Sequence, residues 1–280
     1  MNPEAARALC CPVCGGALAC AASALRCPAG HSFDVAREGY VHLLPVQKKR
    51  AKAPGDSPEM VAARRRFLQA GHYAPFAQAL GRLVCGLAVP GAPLRVVDAG
   101  CGEGYYDEAV CRALAAQGTP CRLAGFDISK AAVRLAAKRL PQAAYAVAGS
   151  FHAPVRTGWA DVLLDVFSPF AQAEFARMVR GGGHLIYAVP GPRHLYGLKQ
   201  VLYAQPYENP VQQVDYPGFE QVDERRVQAQ VTVRGQQLAD LFAMTPYYWR
   251  TPREGAQALA ALPGLTTPIE FRFLVFRRAG

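Results

Sequence analysis

No stretch of this 280-residue chain is apolar for the roughly 20 residues that a bilayer-spanning helix takes. The N-terminal run MNPEAARAL carries a carboxylate where a secretory signal has its apolar core. A soluble, cytoplasmic protein is therefore expected, with its nine cysteines as thiols or metal ligands rather than disulfides. Acidic side chains are scarce as well: 21 Asp and Glu stand against 31 Lys and Arg, for a net charge of +10. Such a surplus suits an acidic partner such as nucleic acid, although a basic surface also serves solubility alone. Seven of the basic residues (Lys48, Lys49, Arg50, Lys52, Arg64, Arg65, Arg66) fall between Pro45 and Pro75, opposed only by Asp56 and Glu59. A concentrated positive potential attracts phosphates, and a solvated linker and helix face is the plainer alternative.

What is abundant lies at the start. Residues 10 to 45 hold five of the nine cysteines and two of the six histidines. Cys11, Cys14, Cys27 and His31 are spaced C-x2-C-x12-C-x3-H, a Cys3His set that closes a tetrahedral zinc site and leaves no open position for catalysis. Gly15 and Gly16 suit the tight knuckle after the second thiolate, and Gly30 the one before His31. Buried free thiols or a redox pair are the alternatives. Cys10 and Cys20 are surplus. A module of about 40 residues buries little core, so the metal supplies its folding free energy.

The run Leu94-Arg-Val-Val-Asp-Ala-Gly-Cys-Gly-Glu-Gly-Tyr-Tyr106 reads as a buried strand, a glycine loop and a helix start, the form of a nucleotide-type cofactor site. A dinucleotide fingerprint would put a small residue where Tyr105 stands, and no G-K-[ST] follows, which excludes a P-loop. What remains is the acidic Asp98 on the strand followed by Gly100, Gly102 and Gly104 in G-x-G-x-G, similar to the first motif of class I methyltransferases that bind S-adenosylmethionine. The strand RLAGFDIS (122–129) then presents Asp127, which can accept both ribose hydroxyls of a nucleoside or cap the following helix together with Ser129.

Strand and helix patterns alternate from there through 190: strands at 144–150, 161–168 and 182–190 and a helix at 174–180. Such βα units imply an α/β fold with a parallel sheet covered on both faces. An alternating strand (227–233), a helix (236–244) and a last strand (268–278) complete the chain, with 191–226 as an inserted cover over the strand ends; the similarity to methyltransferases implies that the last strand pairs antiparallel inside the sheet. The expected division is a zinc module over 1–45, a basic linker with helices over 46–90 and the cofactor domain over 91–280.

Read together, the zinc set followed by HSFDVAREGYVHLLP, GDSPEMVAARRRFLQAGHYAPF, VVDAGCGEGYY, FDISKAAVRLAAKR, VPGPRHLYGLK and MTPYYWR make the chain resemble the bacterial 23S rRNA (guanine-N1)-methyltransferase family along nearly its whole length. The resemblance implies a class I, Rossmann-like methyltransferase sheet with an N-terminal zinc module that helps recognise an rRNA hairpin. It implies S-adenosylmethionine and one structural zinc as cofactors, and methyl transfer to N1 of a guanine in a hairpin loop of 23S rRNA domain II. A homodimer is implied too. Carried onto this sequence, it makes Cys11, Cys14, Cys27 and His31 the zinc ligands and adds Tyr73, Glu103, Gly104 and His194 to the cofactor contacts. Tyr73 has a plainer reading as a packing aromatic and His194 as a turn residue.

Guanine N1 carries a proton that must leave during transfer, and Asp165, near the end of its strand, is the candidate acceptor, with a strand-interior or capping role as the alternative. Phe170, Tyr106 and Trp249 are candidates to sandwich the base, or else core aromatics. A small-molecule methyltransferase with an accessory zinc module, or a non-catalytic RNA-binding protein on the same fold, would share most of these features.

Overall fold

The computed structural model describes residues 1–45, 55–211 and 216–280. The chain begins with a single helical turn, α1 (Pro3–Ala6), whose open N–H groups at Glu4 and Ala5 are satisfied by the side chain of Asn2. Three short strands, β1 (Ala19–Ala21), β2 (Ala24–Arg26) and β3 (Ser32–Asp34), follow as a small antiparallel sheet. The next strand, β4 (Tyr40–His42), leaves that sheet and pairs parallel with a strand of the main sheet.

Helices α2 (Pro58–Gln69) and α3 (Ala74–Gly86) come next, the first capped by the Ser57 hydroxyl, which accepts from Met60 N. Then come β5 (Leu94–Ala99), α4 (Tyr105–Ala116), β6 (Cys121–Asp127), α5 (Lys130–Arg139), β7 (Ala144–Val147), β8 (Ala160–Val166), α6 (Gln172–Met178) and β9 (Val179–Pro190). After α7 (Tyr196–Leu202), the chain runs through β10 (Phe219–Arg234), α8 (Gln236–Ala243), α9 (Arg253–Ala260) and β11 (Gly264–Arg278). The eight-stranded sheet has the order β10-β11-β9-β8-β5-β6-β7-β4. Its six strands from β4 to β9 are parallel, while β11 lies antiparallel between β9 and β10. Chain direction across the sheet reverses between β5 and β8, and the crevice beyond their C-terminal ends is where such sheets bind ligands.

A parallel sheet must be covered on both faces, which is why β5 and β7 read as nearly continuous apolar runs. One face is covered by helices, through Phe67, Phe76, Leu80, Leu114, Val133, Leu198 and Leu241. The other is covered by α6 and by the cysteine-rich segment: Leu9, Cys11, Leu18, Leu25, Cys27 and Leu43 pack with Val97, Phe126, Ala146 and Leu163 of the sheet. The crossover from β7 to β8 on that face holds only a 3-10 turn, Ser150–His152. Its remaining length pairs with the N-terminal segment instead. Cys10 N donates to Pro154 O (2.9 Å), Arg156 N donates to Ala8 O (2.8 Å), and Leu9 bridges Val155. The N-terminal segment thus stands where a crossover helix would, as a layer of the sheet.

Three expectations change. The stretch 191–226 is not all cover: it contains α7, and its last residues already belong to β10. The final residues expected in the helix at 174–180 are instead the start of β9. Of the seven clustered basic residues, Lys48, Lys49, Arg50 and Lys52 lie outside the described residues, and the three arginines are not free. Arg64 pairs with Asp56, Arg65 Nε lies 3.8 Å from Glu103, and Arg66 forms a two-pronged bond to Asp240 (2.6 and 2.9 Å).

Candidate active site and metal centre

Cys11, Cys14, Cys27 and His31 converge, with one ligand atom from each lying within 4.8 Å of all the others. Cys14 Sγ is 3.6 Å from Cys27 Sγ, and His31 Nδ1 is 3.6 Å from Cys11 Sγ and 3.3 Å from Cys27 Sγ. Four ligands held tetrahedrally at zinc bond lengths are about 3.5–3.8 Å apart, so the donor set fits one structural zinc. The knuckles are built by backbone: Gly15 N donates to Cys11 O and Gly30 N to Cys27 O, both glycines at positive φ (+72° and +86°). Gly16 acts differently, since a Cβ there would meet Cys14 Sγ at 3.4 Å. Cys10 and Cys20 take no part in the cluster.

At the other end of the sheet, β5 delivers the glycine loop into the crevice. Gly100 (φ +84°) lies so close to the β8 turn that a Cβ would sit 2.3 Å from that of Ser168, whereas Gly102 (φ +54°) has no atom within 4 Å of where its Cβ would be. The first glycine is needed for packing, and the second leaves room. Asp127, at the end of β6, accepts from Gly102 N (3.1 Å) and from Ser129 N (2.7 Å), so it pins the glycine loop and closes the turn that leads into α5, whose N-cap position is Ser129. Glu103 is buried, with Arg139 at 3.1 Å; burial pushes its carboxyl up, and Arg139 opposes this.

Beneath the loop, Asp98 and Asp107 form a buried carboxyl pair, with Tyr145 Oη donating to Asp107 (2.8 Å). Burial and the neighbouring Asp107 hold Asp98 well above the usual range, and burial pushes Asp107 up to about 6. Asp98 Oδ1 and Asp165 Oδ2 are buried without a hydrogen-bond partner among the described residues. In a chain with a net charge of +10, this crevice gathers Asp98, Glu103, Asp127 and Asp165. Their oxygens are the acceptors that a ligand with ammonium and hydroxyl donors, such as S-adenosylmethionine, requires, and a bound cation would favour their ionised forms.

Tyr73 and His194 meet beside this loop region, with Oη 3.3 Å from Nε2. Burial lowers the His194 pKa to about 3, with Lys199 adding to the effect, so the ring is neutral. Glu270 N donates to Nδ1 (3.2 Å), which places the single ring proton on Nε2. Nε2–H then donates to Tyr73 Oη, and the Tyr73 hydroxyl hydrogen is left for a ligand.

The loop around His194 is held by a group that sequence reasoning missed. Lys199 is fully buried, and its Nζ donates to Asn209 Oδ1 (2.7 Å) and Tyr207 O (3.0 Å). Asn209 Nδ2 in turn donates to Gly191 O (2.9 Å). Lys199 stood within the run VPGPRHLYGLK, but nothing local marks it as buried.

Asp165 is wholly buried, and burial raises its pKa to about 7. Its Oδ1 accepts from Ser168 N (3.1 Å) and lies 2.7 Å from Ser168 Oγ, which is also 2.6 Å from Ala99 O. Ser168 is half-buried, so its hydroxyl stands between the crevice and the carboxylate. Of the expected base-stacking aromatics, Phe170 already stacks on Tyr216 (3.8 Å, 13°), Tyr106 packs edge-on to Tyr105, and Trp249 is exposed.

Residues 9–52 match the family model described as RlmA, N-terminal. The chain is 36% identical over 272 residues to the 23S rRNA (guanine(748)-N(1))-methyltransferase of Streptomyces fradiae, covering 95% of this chain and 94% of the relative. It is 42% identical over 215 residues to a Micromonospora griseorubida protein provisionally named a 23S rRNA (guanine-N(1)-)-methyltransferase (71% and 70% covered). A Bacillus subtilis protein with the same provisional name is 30% identical over 278 residues (95% and 95%).

Proposed function

Since the chain belongs to the 23S rRNA (guanine-N1)-methyltransferase family, we propose that it transfers the methyl group of S-adenosylmethionine to N1 of a guanine in a hairpin loop of domain II of 23S rRNA. The observation that carries this reading is the union in one chain of a closed Cys3His site with an acidic glycine-loop crevice. The first belongs to recognition and folding, the second to chemistry. A homodimer working in the bacterial cytoplasm is part of the same reading, and light scattering tests the assembly.

S-adenosylmethionine supplies an activated, electrophilic methyl group. The protein's work is therefore alignment of two reactants and removal of one proton. In this reading Gly100 and Gly104 hold the loop in its close-packed turn, Gly102 leaves room for the methyl donor, Asp127 and Glu103 accept from its hydroxyls and ammonium, and Tyr73, oriented by His194, offers its hydroxyl to the donor's carboxylate. Asp98 keeps the floor of the crevice polar. Asp165 takes the guanine N1 proton through the Ser168 hydroxyl, the group that touches both the carboxylate and the crevice. A carboxyl with a pKa near 7 is a suitable acceptor at neutral pH.

The test is methylation of a domain II transcript by the purified protein, read by primer extension. An N1-methyl group blocks Watson–Crick pairing, so extension stops at one loop guanine. Absence of that stop, with methyl transfer to a small acceptor instead, overturns the reading.

A further inference from the structure

Helix α8 is followed by a 3-10 turn, Pro246–Trp249, whose three aromatic side chains take different directions. Tyr247 packs against the core, its ring 5.6 Å from Lys199 Nζ and 6.3 Å from Tyr203. Tyr248 and Trp249 stay outside, 47% and 70% exposed, with ring centres 5.0 Å apart and planes at 88°. No other large apolar side chain among the described residues is as exposed as Trp249. An indole of that area left in water forgoes burial that its size would reward.

The turn is rigid rather than loose. Thr245 Oγ1 donates to Phe242 O (2.9 Å), Thr251 Oγ1 to Tyr247 O (2.8 Å), and Tyr248 N to Thr245 O (3.2 Å). It also borders the crevice: Arg64 of α2 donates to Met244 O (3.3 Å), and Tyr247 lies within electrostatic reach of Tyr73.

Arg250 and Arg253 follow directly, both exposed, and neither makes an ion pair among the described residues. Glu254 is the one carboxylate in residues 245–260. Contrast Arg64, Arg65 and Arg66, whose charges are all met by carboxylates. Open aromatic faces beside unmet guanidinium groups match an unpaired nucleotide, which offers a flat base and a phosphate together. An apolar protein partner would use the rings and leave the arginines without counter-charge.

We infer that Tyr248 and Trp249 form a stacking platform for an unpaired base of the RNA substrate, with Arg250 and Arg253 meeting its phosphates. This rests on RNA being the substrate, as proposed above. Two rings at right angles form a corner in which a base stacks on one face and meets the other with its edge.

The chain has two tryptophans, which makes the corner observable. Trp159 is 7% exposed and lies under Arg95 at the opposite end of the sheet. Trp249 therefore dominates any quenching by added ligand. The experiment titrates the zinc-loaded protein with a domain II hairpin transcript, following tryptophan emission and, separately, methyl transfer from labelled S-adenosylmethionine. Saturable quenching by RNA is expected, lost in Trp249→Phe. Trp249→Ala is expected to raise KM for the hairpin roughly 5- to 150-fold, the range for one stacked base, with kcat and S-adenosylmethionine affinity within about twofold. Trp249→Phe should recover most of that KM.

RNA methylation with unchanged emission, and an unchanged KM in Trp249→Ala, overturns the platform and leaves the enzyme reading intact. Emission that changes with protein concentration and not with RNA makes the corner a self-association surface and overturns it as well. No methyl transfer to RNA by the wild-type protein removes the enzyme reading, and the platform falls with it.

Discussion

Tyr73 Oη and His194 Nε2 lie 3.3 Å apart although 121 positions separate the two residues. The contact joins the start of α3 to the loop after β9, two elements that line the crevice from different sides. Because Glu270 N occupies Nδ1, the donor direction along the chain Glu270, His194, Tyr73 is fixed outward.

Tyr73→Phe removes only the terminal hydroxyl. It should keep the fold and weaken S-adenosylmethionine about 5- to 30-fold, the cost of one hydrogen bond in a buried site. Calorimetric titration checks this. The neutral state of His194 adds a second expectation: its ring should contribute no pH dependence to binding across about pH 5–8, since its pKa is about 3, so the binding profiles of wild type and His194→Ala should share one shape there. A binding midpoint near 6.5 that disappears in His194→Ala would show that the ring titrates normally. On stability the sign is fixed: the unfolded chain binds the His194 proton first, so this group destabilises the fold as pH falls from about 6.5 toward 3.

The two glycines Gly100 and Gly102 should separate packing from cofactor space. Gly100→Ala drives a Cβ to 2.3 Å from Ser168 Cβ at a φ of +84°, so both melting temperature and cofactor binding should fall. Gly102→Ala meets no protein atom. It should melt within a few degrees of wild type, with a φ penalty of about 1 kcal/mol, yet lose S-adenosylmethionine affinity at least tenfold. Equal affinities for wild type and Gly102→Ala would remove that residue from the cofactor surface.

What was legible in the sequence was local. The zinc spacing needs only 21 residues of chain from Cys11 to His31, and the glycine loop with Asp127 needs two neighbouring strands. Antiparallel insertion of the last strand followed from the resemblance to methyltransferases rather than from any local pattern. The rest depends on long-range pairing. Arg66 finds Asp240 across 174 positions and Arg65 finds Glu103, so a basic run in sequence becomes a set of ion pairs. The three residues of β4 are too short a run to announce that they join the main sheet, and Lys199 is buried through partners at Tyr207 and Asn209 that no periodicity predicts. Whether Asp127 caps a helix or faces a ligand was open, and the structure has it holding Gly102 N and the turn at Ser129 N, with no side-chain cap on α5.

Proton removal through Ser168 gives a pH signature. Asp165 is ionised only above about 7, so kcat should rise with pH through that value. Asp165→Asn keeps an oxygen for Ser168 N and should preserve the fold while flattening the profile and lowering kcat about 10²-fold, the lower end for general base catalysis. Ser168→Ala should flatten it too. An Asp165→Asn enzyme with wild-type kcat would assign the carboxylate to the turn alone. For stability the shift runs oppositely: a buried carboxyl with a raised pKa favours the fold at low pH, and that contribution is lost as pH rises from about 4 through 7.

Zinc removal should act on the crevice although the two sites lie on different parts of the chain. The Cys3His segment is the layer that covers one face of the sheet, through Leu9, Leu18 and Leu25 against Val97, Phe126 and Leu163. Metal binding in small zinc modules contributes about 10–16 kcal/mol to folding, as much as the entire net stability of a typical domain, about 5–15 kcal/mol. A sheet stripped of that layer exposes apolar surface along β5 and β6, the strands that carry the glycine loop and Asp127. Chelation, or Cys14→Ser at the exposed ligand, is therefore expected to lower the melting temperature and abolish S-adenosylmethionine binding in one cooperative transition. Calorimetry with and without zinc tests it. A metal-free protein that binds the cofactor with unchanged affinity would make the zinc segment a tethered reader, independent of the sheet on which it packs.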